Sequence, residues 1–289
     1  MEKRIKLLCQ VLLVVLMSSV LVPSVTIAQA RTGIGWDQGA QGTIQAVGFG
    51  VAPNNVTSFS QGRLLARRAA IVDAYRNLQE RIQDVQINSE TTMQNLVAIN
   101  DVVSTKVSGI IRGARIVEEV EKADGTYQVV ISINMYGPNS LGEIVFNTTK
   151  PSEIQQFPVP SLDYKGDQLA GNITSINDTG YTGVIVDARG LGLEPTFSPV
   201  IYDENGRSIY GSMYINTDYA ISQGMVDYTL TSDARDGQSR AGTKPIVVKA
   251  IRVAGNNCNV VISKLDADRI LAANQSTDFL RKCAVVFER

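Results

Sequence analysis

The sequence predicts an α+β fold: a β-α-α-β-β N-terminal domain, with a three-stranded sheet covered on one face by two helices, followed by a second mixed α/β domain. Three observations carry this expectation. A short segment at 43–51 alternates in the strand period. Two long stretches of helical periodicity follow it. The dipeptide Asp124-Gly125 then separates two further alternating runs, which is a strong local hairpin signal.

The elements follow in order. TIQAVGFGV at 43–51 reads as a strand, after a Gly-rich lead-in at 31–42. The first helix is expected over 58–83, with Ser58 or Ser60 as its cap. Leu64, Ile71, Tyr75, Leu78 and Ile82 form its apolar stripe, directed at the sheet. A second helix is expected over 90–111, capped by Ser89 and ended by Gly109 and Gly113. Its apolar face holds Met93, Leu96, Val103, Val107 and Ile110. Asn100 falls within that face and needs a polar partner if buried. The hairpin pairs 115–121 with 126–136, where Tyr127, Val129, Ile131, Ile133 and Met135 share one face.

At this point the residues bear a resemblance to a known family. The run ARRAAIVDAYRNL from Ala66 to Leu78, the run GIIRGA from Gly109 to Ala114 and Asp124-Gly125-Thr126-Tyr127 resemble the LPP-twenty surface lipoprotein domain. The same unit is similar to the N-terminal domain of the flagellar assembly protein T group. The resemblance covers about residues 40–140 and implies an envelope or cell-surface protein without a catalytic site to carry over. The expected organisation is a signal peptide at 1–30, the LPP-twenty-like domain at 40–140, a connecting segment at 141–178 and a C-terminal mixed sheet domain at 179–289. Gly190-Leu191-Gly192-Leu193 and the run DADRILA from Asp266 to Ala272 resemble the partner domain found behind such units in exported bacterial proteins.

The connecting segment is punctuated by Pro151, Pro158 and Pro160 and has room for a strand or a short helix. In the C-terminal domain, strands are expected at 181–187, 199–202, 208–210, 245–253, 259–263 and 284–288. A helix is expected at 265–273, and Tyr219–Ala234 reads as helical and then irregular.

Composition narrows the function. Lys3, Arg4 and Lys6 precede an apolar run from Leu7 to Val22, and Ala28-Gln29-Ala30 supplies a small-x-small cleavage site. The mature chain is therefore expected to begin at Arg31. No Cys follows Ala30, so no lipid anchor and no membrane span after cleavage are read. Removing 1–30 takes three basic residues and one acidic residue from totals of 27 and 28, leaving 24 and 27 and a formal charge of −3. Such a chain is a poor nucleic-acid binder, which wants a basic face. It has no histidine, which removes the usual general base, the Ser-His and Cys-His pairs and the commonest zinc ligand.

The individual motifs lean towards structure. Asp187-Ala188-Arg189-Gly190-Leu191-Gly192 has Pro195 where a dinucleotide fingerprint needs its third Gly, so a strand-to-turn role is expected. Asp203-Glu204-Asn205-Gly206 and the 233–237 run lack the closing Glu of a calcium loop and read as turns. Arg63, Arg67, Arg68, Arg76 and Arg81 read as a solvated helix face with pairs such as Asp73–Arg76 and Arg76–Glu80, ahead of a surface for an anionic partner.

The function read from the sequence is that of an exported bacterial envelope protein, periplasmic, cell-surface or secreted. Its role is structural, assembly or binding and non-catalytic, with no cofactor and no metal. The expected partner is an envelope or cell-surface protein, with self-association open. The alternatives are a hydrolase acting on cell-wall glycan through carboxylates such as Asp187 and Glu194, and a flagellar assembly factor. The two cysteines after the signal, Cys258 and Cys283, each open an apolar strand around the 265–273 helix. Parallel pairing of those strands would allow a disulfide between them.

Overall fold

Two glycines on one strand decide how the N-terminal half packs. In a computed structural model, which describes residues 34–36, 41–161, 180–230 and 232–289, Thr43–Gly50 forms β1, and its alternate residues Ile44, Ala46, Gly48 and Gly50 are buried. The expected signal and its cleavage residues Ala28, Ala30 and Arg31 lie outside the described residues. Helix α1, Phe59–Gln83, starts at Ser58, whose hydroxyl accepts from the Gln61 N–H at 3.2 Å. A Cβ on Gly48 would stand 2.1 Å from both the Ala70 carbonyl oxygen and the Ala74 nitrogen. One on Gly50 would stand 2.1 Å from the Ala66 oxygen. Helix backbone thus rests directly on strand backbone, and the residues α1 turns inward are Gly62, Ala66, Ala70, Ala74, Leu78 and Ile82.

This corrects the expected stripe. Leu78 and Ile82 are buried, but Ile71 and Tyr75 are half-buried and Leu64 is 68% exposed. Helical periodicity weights large apolar residues, whereas a strand bearing glycines selects a row of alanines four apart. The polar flank of α1 then closes the outer edge of β1. The Phe49 N–H donates to Asp73 Oδ2 at 3.0 Å, and Asn77 Nδ2 donates to the Val47 carbonyl at 2.7 Å. At the other end of the strand the Gly35 N–H donates to the Thr43 carbonyl at 2.8 Å. An edge covered in this way cannot template a further strand.

The second helical stretch divides in two: α2, Met93–Ile99, and α3, Asp101–Arg112. Thr92, not Ser89, caps α2. Asn100 is the break. Its backbone is extended and its side-chain oxygen accepts from the N–H groups of Val102 and Val103, so the polar residue in the apolar face is satisfied as an N-cap. Met93, Leu96, Val103 and Val107 are buried as expected, and Ile110 is half-buried.

Strands β2, Arg115–Glu121, and β3, Tyr127–Asn134, form the expected hairpin, with Asp124 accepting from the Thr126 N–H. The sheet is antiparallel in the order β1-β3-β2. Arg63 and Arg67 reach from α1 to β2, meeting Glu121 at 2.7 Å and Glu119 at 2.9 Å. Within the connecting segment Leu141–Thr149 forms helix α4.

Two further sheets follow. One is wholly parallel and contains β4 (Gly183–Asp187), β7 (Asp227–Thr229), β8 (Pro245–Lys249) and β11 (Val285–Glu288) in the order β7-β11-β4-β8. The other contains β5 (Ile201–Asp203), β6 (Ser208–Tyr210), β9 (Arg252–Ala254) and β10 (Asn259–Ile262) in the order β6-β5-β10-β9. Helices α5, Thr217–Gln223, and α6, Lys264–Thr277, complete the chain. The apolar run 245–253, expected as one strand, is shared between the sheets. The Ala250 N–H donates to the Asp187 carbonyl and the next N–H, of Ile251, to the Val261 carbonyl.

The expected Cys258–Cys283 disulfide is corrected by this topology. Strands β10 and β11 flank α6 as a β-α-β unit, but they belong to different sheets, and both thiols are free and buried. The premise of neighbouring parallel strands fails, because α6 carries the chain from one sheet to the other.

Residues 32–289 form one compact unit whose apolar cluster runs from Ile44 to Phe287. Phe197 is its aromatic hub, with the rings of Trp36, Tyr136 and Phe146 edge-on at 5.1, 5.6 and 6.0 Å. Trp36 shows that the Gly-rich lead-in takes part in the core.

Three substitutions separate the observed packing from the expected one. Leu78→Ala is expected to cost about 2–5 kcal/mol, and Leu64→Ala no more than about 0.5 kcal/mol. Gly48→Ala is expected to cost about 1–3 kcal/mol or more by overpacking. Urea denaturation reads all three; equal losses for Leu64 and Leu78, or a neutral Gly48→Ala, would contradict the close approach.

Candidate binding groove

A groove forms where the helix-to-strand connection runs out of side chains. Gly109 on α3 and Gly113, its C-cap, lie four apart and leave part of the helix surface bare. Strand β2 begins at Arg115, opposite Ser132, so Ile133 and Asn134 at the end of the central strand have no β2 neighbour. Beyond them the chain turns through Gly137 and Asn139, both at positive φ, into α4. Between α3, the end of β3 and the start of α4 lies a cavity of about 550 Å³.

Its lining is mixed. Ile110, Ile133 and Ile144 supply apolar surface, while Lys106, Arg115, Asn134, Asn139, Ser140 and Glu143 supply polar groups. The start of α4 is closed by a reciprocal cap: Ser140 Oγ accepts from the Glu143 N–H at 3.1 Å, and Glu143 Oε2 accepts from the Asn139 N–H at 2.6 Å. The carboxylate of the groove is therefore already engaged. Lys106 and Arg115 form no ion pair among the described residues. The groove thus offers a positive, partly apolar concavity of the size small-molecule sites have. The sequence had marked Gly109 and Gly113 only as a helix end; their shared face beside Ile110 was the available signal.

The residues singled out in the sequence lie elsewhere. Asp187 and Arg189 sit at the carboxyl end of β4, beside Glu288 at the end of β11. Arg189 and Arg235 bridge the two acids: Arg235 reaches Glu288 at 2.6 Å and Asp187 at 3.4 Å, and Arg189 reaches Asp187 at 2.5 Å. Glu288 is fully buried. Hydrogen bonding to Arg189 holds the Asp187 carboxyl down at about 2. Such a group stays ionised and is unsuited to be the general acid of a glycan hydrolase, which needs a raised pKa. Glu194 is placed near Cys258, whose thiol is pushed up by burial and then by the Glu194 charge. Gly190 and Gly192 both take positive φ, as turn residues.

The remaining acidic runs are equally committed. Asp203 accepts from the Asn205 and Arg207 N–H groups and pairs with the Arg207 side chain. Arg207 also meets Asp268, which further holds Lys264 and Ser161, tying residue 161 to α6. Among the described residues no group of three or more His, Cys, Asp or Glu could hold a metal ion. Asp227 and Arg240 form an interior pair, yet burial outweighs the guanidinium and pushes the Asp227 carboxyl up. Arg240 also donates to the Gly224 carbonyl at 2.8 Å, so the pair fastens α5 to β7. Of the arginines on α1, Arg76 pairs with Asp73 and Glu80 as expected, while Arg63 and Arg67 are cross-links to β2.

These pairs set a pH dependence. Asp187 and Asp268 both have depressed carboxyls, so the stability they confer is complete above the ordinary carboxylate range and is lost as pH falls. Unfolding midpoints should drop between about pH 4 and pH 2, and Asp187→Asn should make that drop shallower. An unchanged acid limb in the variant would show that the network does not stabilise the sheet ends.

Comparison with known proteins gives two matches along the chain. Residues 183–287 match the second domain of Treponema pallidum Tp0624. No curated protein matches the chain. Among the described residues no helix is long and apolar enough to cross a membrane. Residues 47–134, which form the three-stranded sheet with α1, α2 and α3, match the LPP20 lipoprotein family, the family that the Ala66–Leu78 run resembles.

Proposed function

We propose that the protein is an exported, non-catalytic component of a bacterial cell envelope that works by binding, with the groove between α3, β3 and α4 as its ligand site. The lipoprotein match over residues 47–134 and the N-terminal export pattern support the location. The observation that carries the binding reading is the groove itself: a concavity of about 550 Å³ lined by two cations that form no ion pair among the described residues and by one carboxylate. Catalysis is disfavoured because Asp187 is held ionised and the chain has no histidine. An envelope or cell-surface partner would meet the protein at this face.

Photo-crosslinking in cells tests the reading. Gly109 lines the groove and a Cβ there meets nothing within 4 Å, which makes it the site for a benzoylphenylalanine. It is expected to yield an adduct that the same probe at exposed Gln94 does not. Equal labelling from both positions, or none from Gly109, would count against the groove as the working surface.

A further inference from the structure

We infer that the groove takes a small acid carried on an apolar body: a carboxylate, phosphate or sulfate head joined to a hydrocarbon-like tail. This rests on the binding reading above and adds the chemistry of the ligand. The head follows from charge. Lys106 and Arg115 line the groove without an ion-pair partner among the described residues, and the carboxylate beside them, Glu143, is turned to the Asn139 N–H. Two cations against one carboxylate leave the concave site net positive, and such a site draws an anion.

The tail follows from shape. Ile110, Ile133 and Ile144 provide an apolar lining. A Cβ at Gly109 would meet nothing within 4 Å, so the α3 side of the groove is open to an elongated body lying against the helix. A bare inorganic anion would leave this surface wet, and an uncharged chain would leave the net positive charge unanswered. A groove of about 550 Å³ matches the volume of one small molecule, which favours a monomeric amphiphile over a bilayer surface.

Titration of the full-length exported protein followed by amide NMR tests this, with decyl phosphate kept monomeric as the probe. Decyl maltoside supplies the same chain without charge, and inorganic phosphate supplies the head without a chain. Decyl phosphate is expected to shift the amides of Lys106, Gly109, Gly113 and Arg115, and to bind at least about tenfold more tightly than either control. The double variant Lys106→Gln/Arg115→Gln should keep the wild-type spectrum outside the groove and lose about tenfold or more in affinity. Equal binding of the three probes, shifts confined to other surfaces, or unchanged affinity in the variant would overturn the assignment. The Gly109 crosslink is read separately, so an adduct there alongside a failed titration would remove the ligand class and leave the binding reading standing.

Discussion

The backbone contact between β1 and α1 is the constraint from which the N-terminal half follows. Because Gly48 and Gly50 carry no side chain, the helix settles onto the strand until the oxygens of Ala66 and Ala70 occupy the space a Cβ would need. That distance fixes the helix register, since only its alanine row can face inward. The register in turn brings Asp73 and Asn77 to the open edge of β1, and Arg63 and Arg67 to the acidic side of β2. One steric fact thereby sets the core, closes one sheet edge and neutralises charges on the other.

Charge is distributed unevenly over the molecule, and the unevenness is informative. At the carboxyl ends of β4 and β11 two acids and two arginines saturate one another, and around Asp268 the same holds for Arg207 and Lys264. Parallel-sheet crevices often bind ligands at the ends of their strands, but here that position is filled by the protein's own ions. The groove at α3 is the opposite case. Its two cations form no ion pair among the described residues, and its one acid caps a helix. The contrast directs attention away from the sequence's most conspicuous motif and towards residues that carried no motif at all.

Much of the architecture was legible in the sequence because it depends on local patterns. Alternation located β1 and β3, short apolar runs located β4, β10 and β11, and the Asp-Gly turn marked the hairpin, since each is decided by a few neighbouring residues. What was not legible depends on the partner surface. The alanine face of α1 follows from glycines on another element. Asn100 could be read as a buried polar residue, but its role as a cap appears only once the chain bends there. Nothing in the run 245–253 marks the change of sheet at Ala250–Ile251, and that same long-range arrangement separated Cys258 from Cys283. The groove is built from the bare face of α3, the early start of β2 and a turn before α4, three features of no note individually.

Native mass spectrometry of the protein purified from its native cells most directly tests whether this is a binder of small acids. The account predicts a population carrying one additional small acidic mass, absent from the Lys106→Gln/Arg115→Gln variant. Wild type and variant carrying the same mass, or a ligand-free protein that cleaves wall glycan, would contradict it.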